Sequence, residues 1–110
     1  MPQAVRINAT GQVMDTPVKV SKRQNDDVLW IATGNGGPWT ITFDKASTAP
    51  STYAVAPGSP LSQSTYTIAQ GASHGSTGGL INGSVGNTYG YNVRDANGNV
   101  TDDPDVDVES

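Results

Sequence analysis

The sequence predicts an all-β protein built as a two-sheet sandwich of about seven strands. Three observations predict it. Apolar and polar residues alternate with period two in run after run, as strands with one buried face do. Clusters of Gly, Pro, Asn and Asp separate the runs and suit tight turns. No Ala-rich or Leu-rich stretch of helical length occurs, and Leu is confined to Leu29, Leu61 and Leu80.

The runs follow in order along the chain. Val5 to Ala9 alternates apolar and polar, and Val18-Lys19-Val20 does so briefly. Val28 to Ala32 is apolar on both faces, as a central strand can be. Trp39, Ile41 and Phe43 alternate with Thr40, Thr42 and Asp44, which predicts a half-buried strand with threonines outside. Tyr66 and Ile68 alternate with Thr65 and Thr67, and Tyr89, Tyr91 and Val93 form one further stripe. Val106 and Val108 alternate with Asp105, Asp107 and Glu109, predicting a last strand with one acidic face. Asn97-Gly98 predicts a hairpin, because both residues tolerate the positive φ of a type I′ turn. Ala46 to Ser64 reads as a long crossover loop with at most a short strand or helical turn at Tyr53-Ala54-Val55. Gly71 to Gly86 reads as a Gly/Ser-rich loop pinned to the core by Leu80-Ile81. The expected core is Ile7, Val18, Val20, Val28, Trp30, Ile41, Phe43, Tyr66, Ile68, Leu80, Tyr89, Tyr91, Val93, Val106 and Val108.

Length and composition narrow the class. A chain of 110 residues is read as a single domain, 1–110. Hydrophobic residues make up only 35%, with 13 Gly and 7 Pro, which favours short strands and many turns. Net charge is −4, and Lys22-Arg23 is the one adjacent basic pair. Nucleic acid needs clustered cations for counterion release, so it is not an expected partner. An anionic membrane surface is disfavoured by the same sign. No run has the length of a membrane span. The start, Met1 to Arg6, lacks a basic region followed by an apolar one, so no signal peptide is expected there. Low Lys content and Ser/Thr/Asn richness favour a periplasmic or extracellular location if a signal has been removed, and a cytoplasmic one otherwise. With no Cys, disulfides are excluded and the compartment stays open.

Three segments resemble the strand framework of the cupredoxins. Asp26-Asp27-Val28-Leu29-Trp30 is similar to an early strand of that family. Gly86-Asn87-Thr88-Tyr89-Gly90-Tyr91-Asn92-Val93 is similar to the strand that opens the last hairpin, with Val93 where the copper cysteine would stand. Asp103-Pro104-Asp105-Val106-Asp107-Val108 resembles the ending of copper-free members. The resemblance covers Val18 to Val108 and implies a cupredoxin-like Greek-key β-sandwich; a generic immunoglobulin-like sandwich is the competing arrangement. It also implies a type 1 copper site, and here the sequence departs from it. The loop Thr33 to Trp39 holds no His, Arg94 to Asp103 holds neither His nor Met, and the chain has no Cys. A type 1 site depends on the copper–thiolate bond, so blue-copper electron transfer is excluded and no cofactor is expected.

The remaining candidates are few. His74 stands alone in Ala72 to Ser76, read as a flexible polar loop. A metal site needs three or four donors, so a solvated loop histidine is preferred to a ligand. No Gly-x-Ser-x-Gly elbow is present, and no enzyme activity is expected. Asp95 to Asp103 has oxygen donors at alternate positions, as a calcium loop does. Its glycine falls at the fourth position, not the sixth, and Val106 stands where the closing Glu belongs, which favours a hairpin turn. Asp95, Asp102, Asp103 and Asp105 stay as candidates for weak calcium binding. Six of the ten acidic residues lie from Asp95 onward, and the plain reading of that run is a solvated edge strand that discourages edge pairing and favours a monomer. Trp39 follows Gly36-Gly37-Pro38 and is read as a core or rim residue that caps the end of the sandwich; left partly exposed, its ring would stack on a sugar or a partner surface. The expected function is therefore a non-enzymatic binding or structural module with a protein or carbohydrate partner. The alternative is a metal-binding protein that uses the acidic hairpin or His74.

Overall fold

The computed structural model describes residues 2–43, 59–61, 63–75 and 85–110. Within them the chain is all-β, with no helix and ten strands: β1 (Pro2–Ile7), β2 (Val18–Ser21), β3 (Asp27–Ala32), β4 (Trp39–Thr42), β5 (Thr65–Ile68), β6 (Ser73–Gly75), β7 (Thr88–Gly90), β8 (Asn92–Arg94), β9 (Val100–Asp102) and β10 (Asp105–Glu109). The strands form three sheets, with orders β1-β3-β6, β2-β10-β7 and β5-β4-β8-β9. Two pairings are parallel, β1 with β3 and β10 with β2.

Most of the strands form where a period-two apolar stripe can be buried; β6 and β9 carry none. In β3, Val28, Trp30 and Ala32 are buried while Leu29 and Ile31 are half-buried, so this strand alternates after all. In β4 and β5 the inward residues Trp39, Ile41, Tyr66 and Ile68 are buried. Their threonines lie opposite one another, Thr40 with Thr67 and Thr42 with Thr65. One core unites the sheets, and every expected core residue among those described belongs to it. Leu80 lies outside the described residues, as do Tyr53-Ala54-Val55. Val5, Val13, Ala32, Trp39 and Leu61 join the core as well. Full burial of one aliphatic side chain contributes about 1.5–3 kcal/mol, so a stripe of two or three inward residues holds even a four-residue strand. At the centre, Trp30 packs on Tyr66 with ring centroids 5.0 Å apart and on Tyr91 at 5.8 Å. Phe43 closes the group, 5.1 Å from Tyr91.

Three expectations are corrected. The stripe Tyr89 to Val93 is two strands, not one. β7 pairs with β10 and β8 with β4, so the chain passes from one sheet to another at Tyr91. There the Tyr91 amide donates to Pro104 O at 3.0 Å, and Tyr89, Tyr91 and Val93 are buried on both sides of the transfer. Second, the expected loop Gly71–Gly86 contains β6, whose residues Ser73, His74 and Gly75 lie opposite Ile31, Trp30 and Leu29. Third, the acidic strand β10 is not an edge. It lies between β2 and β7, because Val106 and Val108 fill the core from a central position.

Candidate functional site

A concavity lies on the outer side of β10. It measures about 330 Å³ and is lined by Pro17, Thr88, Asp105 and Asp107. Its construction follows from the strand pattern. Val106 and Val108 turn inward, so Asp105 and Asp107 must turn outward. Thr88 lies opposite Asp107 on β7, and its hydroxyl donates to Asp107 Oδ1 at 2.8 Å. Lys19 lies opposite Asp107 on the other side, in β2. Pro17 leads into β2 and walls the end, and beside it the Thr16 hydroxyl accepts from the Asp105 amide at 3.2 Å. Two carboxylates on an open concave floor favour an ammonium or guanidinium group, through charge-assisted hydrogen bonds.

The other sequence candidates do not meet at this floor. Asp95 serves its own turn: Oδ1 accepts from the Asn97 amide at 2.9 Å and from the Asn99 amide at 3.0 Å. The turn closes the hairpin β8–β9, with Gly98 at φ +83°. Asp102 accepts from the Val13 amide at 2.8 Å through Oδ2 and from the Asp103 amide at 2.9 Å through Oδ1. Those bonds commit Asp95 and Asp102 to the backbone. Among the described residues no three His, Cys, Asp or Glu side chains converge as a metal site would need. His74 is placed on strand β6, opposite Trp30, and not in a loop.

Trp39 is 5% exposed, so its ring offers no face for stacking. Three glycines admit it. A Cβ at Gly11 or Gly36 would come within 2.8 Å of the ring, and one at Gly37 within 3.3 Å of Nε1. The Nε1 donor is buried and has no hydrogen-bond partner among the described residues. Sequence reasoning could not supply this environment, because Gly11 is far from Trp39 along the chain. It missed the concave floor for a similar reason. The outward acids were legible, and the walls of Pro17 and Thr88 come from distant parts of the chain.

Comparison with protein-family models, with characterised proteins and with solved structures finds no match in any of the three.

Proposed function

We propose that this protein is a non-enzymatic binding module on a cupredoxin-like Greek-key β-sandwich, without a type 1 copper site. The single observation behind the binding reading is the carboxylate-floored concavity of Asp105 and Asp107. Its chemistry favours a basic group on a protein partner. The sandwich reading is supported by one apolar core shared by all three sheets and by the transfer of the chain between sheets at Tyr91. Non-consecutive antiparallel neighbours such as β4 and β8, or β7 and β10, support Greek-key-type crossovers. The absence of any Cys supports the copper-free reading, since no thiolate is available.

The test uses an oligolysine peptide as probe, followed by amide chemical shifts. Shifts concentrated at Thr88, Asp105 and Asp107, weakened by salt and lost in an Asp105→Asn/Asp107→Asn double variant, support the reading. Shifts mapping elsewhere, or surviving that variant unchanged, sink it.

A further inference from the structure

We propose that the segment Gly11–Asp15 is a strap that guards strand β9 and keeps it from pairing with a second copy of this chain. Among the described residues β9 is the last strand of its sheet. A terminal strand presents unpaired backbone groups and is a template for association. Two bonds tie the strap to it. The Thr101 hydroxyl donates to Gly11 O at 2.9 Å, and the Val13 amide donates to Asp102 Oδ2 at 2.8 Å.

The strap's other side is anchored to β1. Val13 bridges Ile7, the Met14 amide donates to Arg6 O at 2.8 Å, and the Arg6 guanidinium grips the Asp15 carboxylate at 3.0 Å. It therefore spans from one sheet to the end of another. Its fit over β9 depends on glycine. A Cβ at Gly11 would overlap the Thr101 hydroxyl and lie 2.6 Å from Thr101 Cβ.

The nature of the two bonds makes this a guard and not a further strand. Both use side chains of β9 and neither is a rung of the β8–β9 ladder, while Val13 itself stays buried against β1; the Thr101 hydroxyl also reaches Val93 O of β8 at 3.2 Å. Met14 on the strap and Val100 on β9 are 55% and 48% exposed, which puts apolar surface on both partners of the contact. A second copy adding to β9 would meet Val100 and displace the strap. The short length of β9 and the irregular register at Val93/Arg94 act in the same protective direction.

The experiment removes the two bonds with Thr101→Val and Asp102→Ala together, which also takes away the Thr101 bond to Val93 O and the Asp102 bond to the Asp103 amide. Light scattering reads the mass, far-UV circular dichroism the fold, and hydrogen exchange the Val13 amide. The wild type is expected at the 11.4 kDa of one chain. The double variant is expected to keep its fold, to exchange the Val13 amide at least about tenfold faster, and to shift toward twice that mass with concentration. Adding Val100→Lys, a charge on the same strand, is expected to restore the single-chain mass. A folded double variant that stays monomeric overturns the proposal, whether or not Val13 exchange accelerates. So does association that ignores Val100→Lys, or a wild type already paired through β9. If the double variant loses its fold, Asp102→Asn alone preserves side-chain volume and is read by the same three measurements. Loss of fold in that variant also overturns the proposal, since the bond to β9 would then be needed for the fold itself and not as a guard.

Discussion

The indole of Trp30 donates a hydrogen bond to the phenol oxygen of Tyr91 at 3.3 Å, in the interior of the protein. Both side chains are fully buried. The bond ties the middle of β3 to the residue at which the chain changes sheets. It satisfies two polar groups that would otherwise be stranded among apolar neighbours.

Replacing Tyr91 by Phe keeps the ring and removes the acceptor. Trp30 Nε1 is then buried without a partner, a loss of about 1–3 kcal/mol. Urea unfolding followed by Trp fluorescence checks this, with a midpoint lowered by about 1 M. An unchanged midpoint would show that the indole finds another acceptor.

Burial pushes the Tyr91 phenol well above its ordinary value, while the bond from Trp30 opposes the shift in part. The folded protein therefore holds this proton more tightly than the unfolded chain. Stability from this group is intact below about pH 10 and is lost as pH rises further, because only the unfolded chain ionises there readily. An alkaline titration at the phenolate absorbance band should show Tyr91 ionising only as the fold is lost. The Tyr91→Phe variant should lack that component.

The Asp15 carboxyl is held below the usual carboxylate range, first by the hydrogen bonds from the Arg6 side chain, then by the bond from the Arg6 amide. Its contribution is present above the unfolded value near pH 4 and fades as pH falls through the lower folded value. Asp15→Asn should therefore flatten the dependence of melting temperature on pH below 4. At neutral pH the difference should be small and reduced by salt, because the pair is largely exposed. A variant with the wild-type acid profile would remove Asp15 from the account.

Gly11 and Gly98 have nearly the same backbone, at φ +84° and +83°. Their surroundings differ. Nothing lies within 4 Å of a Cβ on Gly98, whereas at Gly11 the Thr101 side chain and the Trp39 ring fill the space. Gly98→Ala should cost about 1–2 kcal/mol from the left-handed conformation alone. Gly11→Ala should cost a further ~1–3 kcal/mol from overpacking. Equal losses in chemical denaturation would contradict the close approach of the strap to Thr101.

Strands marked by an apolar stripe were legible, even one as brief as Val18-Val20, and strands without one were not. Trp39-Ile41 and Val106-Val108 alternate clearly, and the structure buries all four. Strand β6 is three residues long and holds Ser73, His74 and Gly75, so no apolar period marks it. The Tyr89–Val93 stripe hid a change of sheet, because alternation records which way side chains turn and not which neighbour the backbone joins. The same limit explains β10. Its acids announce an outward face, and that face exists in the centre of a sheet as well as at an edge. Trp39 was read as core or rim and is buried; of the glycines that enclose it, Gly36 and Gly37 stand beside it in sequence, and only Gly11 comes from a segment no local pattern connects.

β10 sits between β2 and β7, with Val18 in register with Val106. During synthesis β2 leaves the ribosome early and β10 among the last of the strands described. Until then β2 lacks its ladder partner, and Val18 and Val20 lack the valines beside them. A nascent chain stalled before Asp105 thus carries a half-made sheet with its hydrophobic side uncovered. Completion of this fold is gated by the arrival of five residues, and a chain that stops before them lacks the central strand on which β2 and β7 both pair.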